Sequence, residues 1–202
     1  MSQKEQATQN LLDFAALLDS LGIIYWLDGG TILGAYRDGD FCADDHDDID
    51  IFCWAKGNIE LKQSIIQRAN AIGFQVVGHW EGDARTPGLG QEVAFSRDNL
   101  KIDLNFFERS GDTAWGCAYV RNVCIPQVCP AAFYDNLVPI EFKGRTFNAP
   151  GPIEAYLEHR YGDWRTPIHR EQYSYTNPEQ LKALHPDFPF WDHAKASWAN
   201  RK

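Results

Sequence analysis

Residues 26–52 read WLDGGTILGAYRDGDFCADDHDDIDIF, and their pattern decides the fold. The segment parses as a strand end, a Gly-Gly turn, a short helix over 31–36, an acidic loop and a second strand over 48–54. Seven aspartates (Asp38, Asp40, Asp44, Asp45, Asp47, Asp48 and Asp50) fall within thirteen residues, with Arg37 as the neighbouring cation. Like charges about 4 Å apart repel by roughly 1 kcal/mol in water and by more near a protein surface. Such a cluster is tolerated in a well-solvated loop or around a cation, and Mg2+ prefers carboxylate oxygens. Both readings stand at this point.

Asp48 and Asp50 sit two apart on a strand and so share one face, while Ile49 and Ile51 point to the other. A side-by-side carboxylate pair can hold one or two divalent ions, and two ions can clamp the oxygens of an in-line phosphoryl displacement. The plain alternative is an edge strand with a polar outer face. Asp103 lies in KIDLNFF (101–107), between Ile102 and Leu104, on a run that reads as a central strand. A carboxylate there is costly unless paired. It is expected to be a third ligand of the same metals or the base for an incoming hydroxyl; the alternative is a surface bridge to Lys101 or Arg97.

Gly29-Gly30-Thr31 opens a helix, and glycines with a helix N-terminus suit a phosphate. A tight turn is the ordinary meaning of such a dipeptide, and the spacing is not that of a P-loop, because Ala35-Tyr36 follows Gly34. Arg37 is placed to neutralise a phosphate or to balance its acidic neighbours. His46 and Cys42 offer zinc ligands, but in hard-oxygen surroundings. The glycine and glutamate positions of an EF-hand are absent, as is a G-x-S-x-G elbow.

Outward from this centre, residues 5–21 carry apolar side chains at helical spacing, with Gly22 as the stop. Ile23 to Leu27 reads as a strand, 57–71 as a helix, and 74–80, 93–97 and 101–108 as strands, with a loop over 81–91 and a hairpin turn at Asp98-Asn99. Residues 115–123 read as a strand or hairpin arm, 130–137 as a short helix, 140–148 as a hairpin turning at Lys143-Gly144, and 153–161 as a helix ending at Gly162. From Pro167 the chain is rich in proline and aromatics, with a helix expected near 178–184. The order predicts an α+β fold: a mixed β-sheet flanked by helices, with an aromatic, Pro-rich C-terminal arm. The expected division is a catalytic body over 1–167 and an arm over 168–202 packed on it.

The chain has 202 residues, enough for one sizeable core. A net charge of -9 argues against a nucleic-acid binder, which would show a basic face, but not against a nucleotide held through a metal. Five cysteines without a C-x-x-C pair fit a reduced, cytoplasmic setting. The polar start MSQKEQATQN has no apolar h-region, so no signal peptide is expected, and no apolar run approaches the about 18 residues of a membrane span.

GGTILGAYRDGDF (29–41) followed by DDIDI (47–51) resembles the signature of the LicD/fukutin family, within the polymerase-β-like nucleotidyltransferase superfamily. FKGRTFNAP (142–150) and then YLEHRYGDWRTP (156–167) resemble the closing segment of that family. The resemblance covers roughly 10–167. It implies a nucleotidyltransferase-like fold and an enzyme that uses Mg2+ or Mn2+, with two ions expected. The reaction it implies moves phosphocholine or a polyol phosphate from a CDP-linked donor to a hydroxyl of a sugar or small-molecule acceptor. By similarity Asp48 and Asp50 form the metal pair and Asp103 the third carboxylate. Gly29, Gly30 and Thr31 hold donor phosphates, Arg37 matches an arginine of the motif, and Tyr161, Asp163 and Trp164 belong to the closing segment. Where the family has Pro-Trp before its aspartates, this chain has Phe41 and then CADDH, one residue longer, which leaves donor and acceptor open. Two other readings remain: a nucleotidyltransferase moving NMP from an NTP to a small molecule or protein, and a non-catalytic binding module that keeps the fold.

Overall fold

The computed structural model describes residues 2–43, 47–81, 91–120 and 123–168; for Ser110, 117–120 and 123–126 only the backbone is described. The expected helix at 178–184, the arm from 169 onward, most of the 81–91 loop and His46 lie outside the described residues.

The first helix, α1 (Gln3–Ser20), begins at a reciprocal cap. Glu5 N–H donates to Ser2 Oγ at 3.3 Å, and Ser2 N–H to Glu5 Oε2 at 2.7 Å. Its buried stripe is Ala7, Leu11, Phe14, Ala15, Leu17 and Leu18. There follow β1 (Tyr25–Leu27), α2 (Gly29–Arg37), β2 (Asp48–Trp54), a short 3-10 turn (Ile59–Leu61), α3 (Lys62–Ala71), β3 (Gln75–Trp80), β4 (Glu92–Arg97) and β5 (Leu100–Ser110). The chain continues through β6 (Thr113–Val120), β7 (Val123–Pro130), α4 (Ala132–Asp135), β8 (Val138–Phe142), β9 (Arg145–Ala149) and α5 (Ile153–Tyr161).

The main sheet runs β1-β2-β5-β4-β3, with β6 on the far end of β5 and β7 outside β6. Strands β2 and β5 are parallel and the other pairs antiparallel, so the sheet is mixed. One face carries Ile49, Ile51 and Cys53 of β2, Ile102, Leu104 and Phe106 of β5, and Val93 and Phe95 of β4, all buried. Helix α1 packs there: the Phe14 ring lies 4.9 Å from Phe95 and 5.4 Å from Phe74. On the other face the aromatics Trp26, Phe52, Trp54, Phe107 and Tyr134 stack together, with Trp26–Tyr134 at 5.2 Å and Phe52–Phe107 at 4.9 Å. They fill one end of that face. Asp48, Asp50 and Asp103 stand at the other.

Arg97 ends β4 against α1. Its guanidinium donates to Asp13 Oδ2 at 2.6 Å and Asn10 Oδ1 at 2.8 Å and lies 4.3 Å from the Phe74 ring centre. It therefore does not serve Asp103. The expected turn at Asp98-Asn99 is present with φ of 55° and 61°, the geometry of a tight two-residue hairpin. The expected turn at Lys143-Gly144 joins β8 to β9. Strand β7 departs from the sequence reading, which ends a strand at 123 and leaves 124–129 unassigned: among the described residues β7 pairs with β6 alone, and such an edge strand accommodates Pro126 and Pro130. Helix α2 begins at Gly29 rather than Thr31. Among the described residues no helix is long and apolar enough to cross a membrane.

The acidic loop is pinned where it leaves α2. Gly34 faces it so closely that a Cβ would lie 2.6 Å from both Asp40 O and Cys42 N. Asp40 accepts from Lys4 of α1 at 2.6 Å and from Lys143 of the β8–β9 turn. Lys143, and after it Lys4, hold the Asp40 carboxyl well below the usual carboxylate range.

Two outcomes are expected. Gly34→Ala forces backbone apart and lowers stability by about 1–3 kcal/mol in denaturant unfolding. Because the folded-state pKa of Asp40 is depressed, its contribution is present above the ordinary carboxylate value and is lost as pH falls below about 4. Lys143→Met therefore flattens the fall of stability in that acid range, measured by thermal denaturation against pH.

Candidate active site

The parallel pairing of β2 and β5 sets Asp50 opposite Asp103 and Asp48 opposite Lys101. With period-two alternation all four side chains leave the same face. One carboxylate oxygen from each of Asp48, Asp50 and Asp103 lies within 4.8 Å of the other two. Asp103 is buried at 7% exposure, and Asp48 and Asp50 are half-buried. Three convergent carboxylates form the hard-oxygen donor set that Mg2+ or Mn2+ takes. The residues present fit such an ion.

Lys101 also enters this cluster. Its Nζ lies 2.7 Å from Asp103 Oδ2 and 3.2 Å from Asp48 Oδ1. Burial works against the ammonium charge, but Asp103 and Asp48 outweigh it, so the Lys101 pKa is raised and the group stays charged. The bridge from Asp103 to Lys101 is therefore present, but its carboxylate lies buried beside Asp48 rather than on the surface as expected.

The Gly-Gly turn fixes Asp50. Gly30 N–H donates to Asp50 Oδ2 at 2.9 Å, and Asp50 N–H donates to Thr31 Oγ1 at 2.8 Å. Gly29 has φ +53°, and a Cβ on it would lie 2.1 Å from Asp50 Oδ2, so no larger residue fits. Behind the turn stands Asp28, fully buried and the N-cap of α2. It accepts from Gly29 N–H at 2.7 Å, from Trp26 Nε1 at 3.0 Å and from the Tyr156 hydroxyl of α5. A buried carboxylate is stable only with such partners. Burial first, and then the Asp28 charge, push the Tyr156 hydroxyl pKa well up, so it remains a donor. The sequence reading missed Asp28 and Tyr156. The signal for Asp28 was an aspartate directly ahead of a helix start; nothing local marks Tyr156.

Arg37 lies at the end of α2, its fork on Asp38 at 2.9 and 2.7 Å and its Nη1 3.4 Å from the Trp164 carbonyl. It therefore ties the closing segment to α2. Trp164 is buried, with its ring 5.7 Å from Tyr36. Asp163 is exposed and accepts from Thr166 Oγ1 at 2.7 Å. Tyr161 is half-buried; burial pushes its hydroxyl pKa up, and Asp50 is among the charges that add to the shift. Cys42 is buried, with its Sγ 3.4 Å from the Gly30 carbonyl.

The profile described as LicD/FKTN/FKRP, nucleotidyltransferase domain, matches residues 22–151, from the start of the first strand region to the end of the β8–β9 hairpin. The chain belongs to the LicD family. Ribitol 5-phosphate transferase FKRP of Mus musculus and that of Homo sapiens are each 32% identical to it over 177 residues. Those matches take in 82% of this chain and 32% of each relative, so the chain spans about a third of the length of the curated relatives it matches. In fold it is similar to the solution structure of the antibiotic-resistance factor ANT(2'')-Ia, with a TM-score of 0.51 at 15% identity, over 98% of this chain and 100% of that one.

Removing the donor behind the turn should be felt in stability. Tyr156→Phe leaves buried Asp28 short of one partner and is expected to cost about 1–3 kcal/mol in urea unfolding.

Proposed function

We propose that this LicD-family chain is a metal-dependent transferase that moves a phospho-alcohol group, phosphocholine or a polyol phosphate, from a CDP-linked donor to a hydroxyl of a sugar or small-molecule acceptor. The observation that carries the reading is the convergence of Asp48, Asp50 and Asp103 beside the Gly-Gly turn, in a chain similar to proteins named ribitol 5-phosphate transferase.

Asp48, Asp50 and Asp103 would hold Mg2+ or Mn2+. The ion, when bound, supplies charge neutralisation at the phosphorus oxygens. The acceptor oxygen attacks the phosphorus that carries the alcohol, the bond from that phosphorus to the CMP oxygen breaks, and CMP leaves with the electron pair. The acceptor proton passes to Asp103 or to water. Catalysis of this kind is mainly positioning and electrostatics. Positioning falls to Gly29, Gly30 and Thr31, which set Asp50; the first two N–H groups of α2 are held by Asp28 and Asp50, so a donor phosphate would meet this turn through the ion that Asp50 holds. Arg37 supplies a guanidinium at the other end of α2. Tyr161, Asp163 and Trp164 form the strap that Arg37 holds against that helix.

The test is a thermal-shift series with CDP-choline, CDP-ribitol, CDP-glycerol, CTP, ATP, GTP and UTP, each with and without Mg2+. A CDP-alcohol present at a hundred times its Kd should add about 2.7 kcal/mol of stability, and only with metal. Stabilisation by an NTP alone would replace this reading with the nucleotidyltransferase. No shift with any ligand would leave a binding module. With the donor found, Asp48→Asn and Asp50→Asn should each lower turnover on the order of a thousandfold while circular dichroism stays unchanged, since several kcal/mol of transition-state charge stabilisation is lost.

A further inference from the structure

The carboxylate cluster contains a cation of its own. Lys101 lies opposite Asp48 on the neighbouring strand and two residues before Asp103, so its stem rises from the sheet between the two. Its ammonium spans them, 2.7 Å from Asp103 and 3.2 Å from Asp48. The lysine is set on a central strand, with Ser96 of β4 across from it on the other side, rather than on a loop that could swing away.

We infer that Lys101 supplies one of the three positive charges that the cluster needs, so that the site takes a single divalent cation, seated toward Asp50, instead of a pair. The inference deepens the metal-dependent reading above and rests on it. Three carboxylates carry three negative charges, and one divalent ion with one ammonium neutralises them. A second divalent ion beside the ammonium would meet a repulsion that scales with the product of the charges and falls only inversely with distance. The arrangement favours Asp50 as the anchor of the ion, because Gly30 N–H fixes its Oδ2 and Gly29 leaves room for it. The ammonium then serves the site as a permanent charge: it screens Asp48 from Asp103 while the ion is absent, and it faces the phosphate oxygens of the donor once the ion is bound.

The experiment is a titration of Mn2+ alone into the whole chain, followed by electron paramagnetic resonance of the free ion, for the wild type and for Lys101→Met, Lys101→Arg and Asp50→Asn, each checked for fold by circular dichroism. The wild type is expected to bind one Mn2+ per chain, and Asp50→Asn to lose it. Lys101→Met should bind Mn2+ at least tenfold more tightly and accept a second ion, while Lys101→Arg keeps one site. A lysine that only supported the fold would act in the opposite direction, weakening Mn2+ binding in Lys101→Met. Two ions of similar affinity in the wild type, or unchanged or weaker binding in Lys101→Met, would overturn the inference and leave the metal-dependent reading intact. Absence of Mn2+ binding in wild type and Lys101→Met alike would overturn both.

Discussion

The parallel register of two strands places Asp50 directly across from Asp103, and like charges so placed oppose the pairing that brings them together. Much of the rest of the molecule can be understood as holding that register against its own electrostatics. On the reverse of the same strands, Ile49, Ile51, Ile102 and Leu104 are wholly buried in the core to which α1 contributes. A slip of one residue would send the isoleucines to the open face and the aspartates into the core, so the hydrophobic side fixes the polar side. Each fully buried aliphatic chain contributes about 1.5–3 kcal/mol, and several together outweigh the repulsion among the carboxylates.

The charges are also managed one at a time. Asp48 and Asp103 share the Lys101 ammonium, and Asp50 leans on a backbone N–H. Asp28, which would be the costliest because it has no exposure at all, is surrounded by three donors. Asp38 and Asp40, at the exit from α2, are paired with Arg37 and with two lysines. The crowding of acids that made residues 38–50 conspicuous is thus resolved, among the described residues, into separate local arrangements.

How much of this could be read from the chain depends on how local each determinant is. The alternation through Asp48, Ile49, Asp50 and Ile51 states its own geometry, and so do the turn residues at 98–99 and 143–144. Asp103 was legible because a charge between Ile102 and Leu104 demands a reason. The sheet order was not legible, since alternation tells which face a residue takes but not which strand lies beside it. The sequence reading leaves most of strand β7 unassigned, and its prolines are compatible with it because they forbid a central position but not an edge. Arg97 lies six residues before Asp103, close enough to invite a pairing, yet the strand turns at 98–99 and carries it to Asp13 and Asn10. Tyr156 could not be found locally, because its partner is elsewhere in the chain.

That last contact has a consequence for the order in which the molecule is completed. The three carboxylates are all present in the chain by residue 103, but the hydroxyl that steadies the turn beneath them arrives with residue 156, across a sequence separation of 128. Other ties of similar span run beside it: Asn148 to the Tyr25 carbonyl, Arg145 to Asp19, and Arg37 to the Trp164 carbonyl. Long-range closures of this kind form slowly, because their entropy must be lost before their contacts are gained. A growing chain therefore holds the acidic cluster for some time before it holds the frame around it, and the geometry at the carboxylates is among the last features to set.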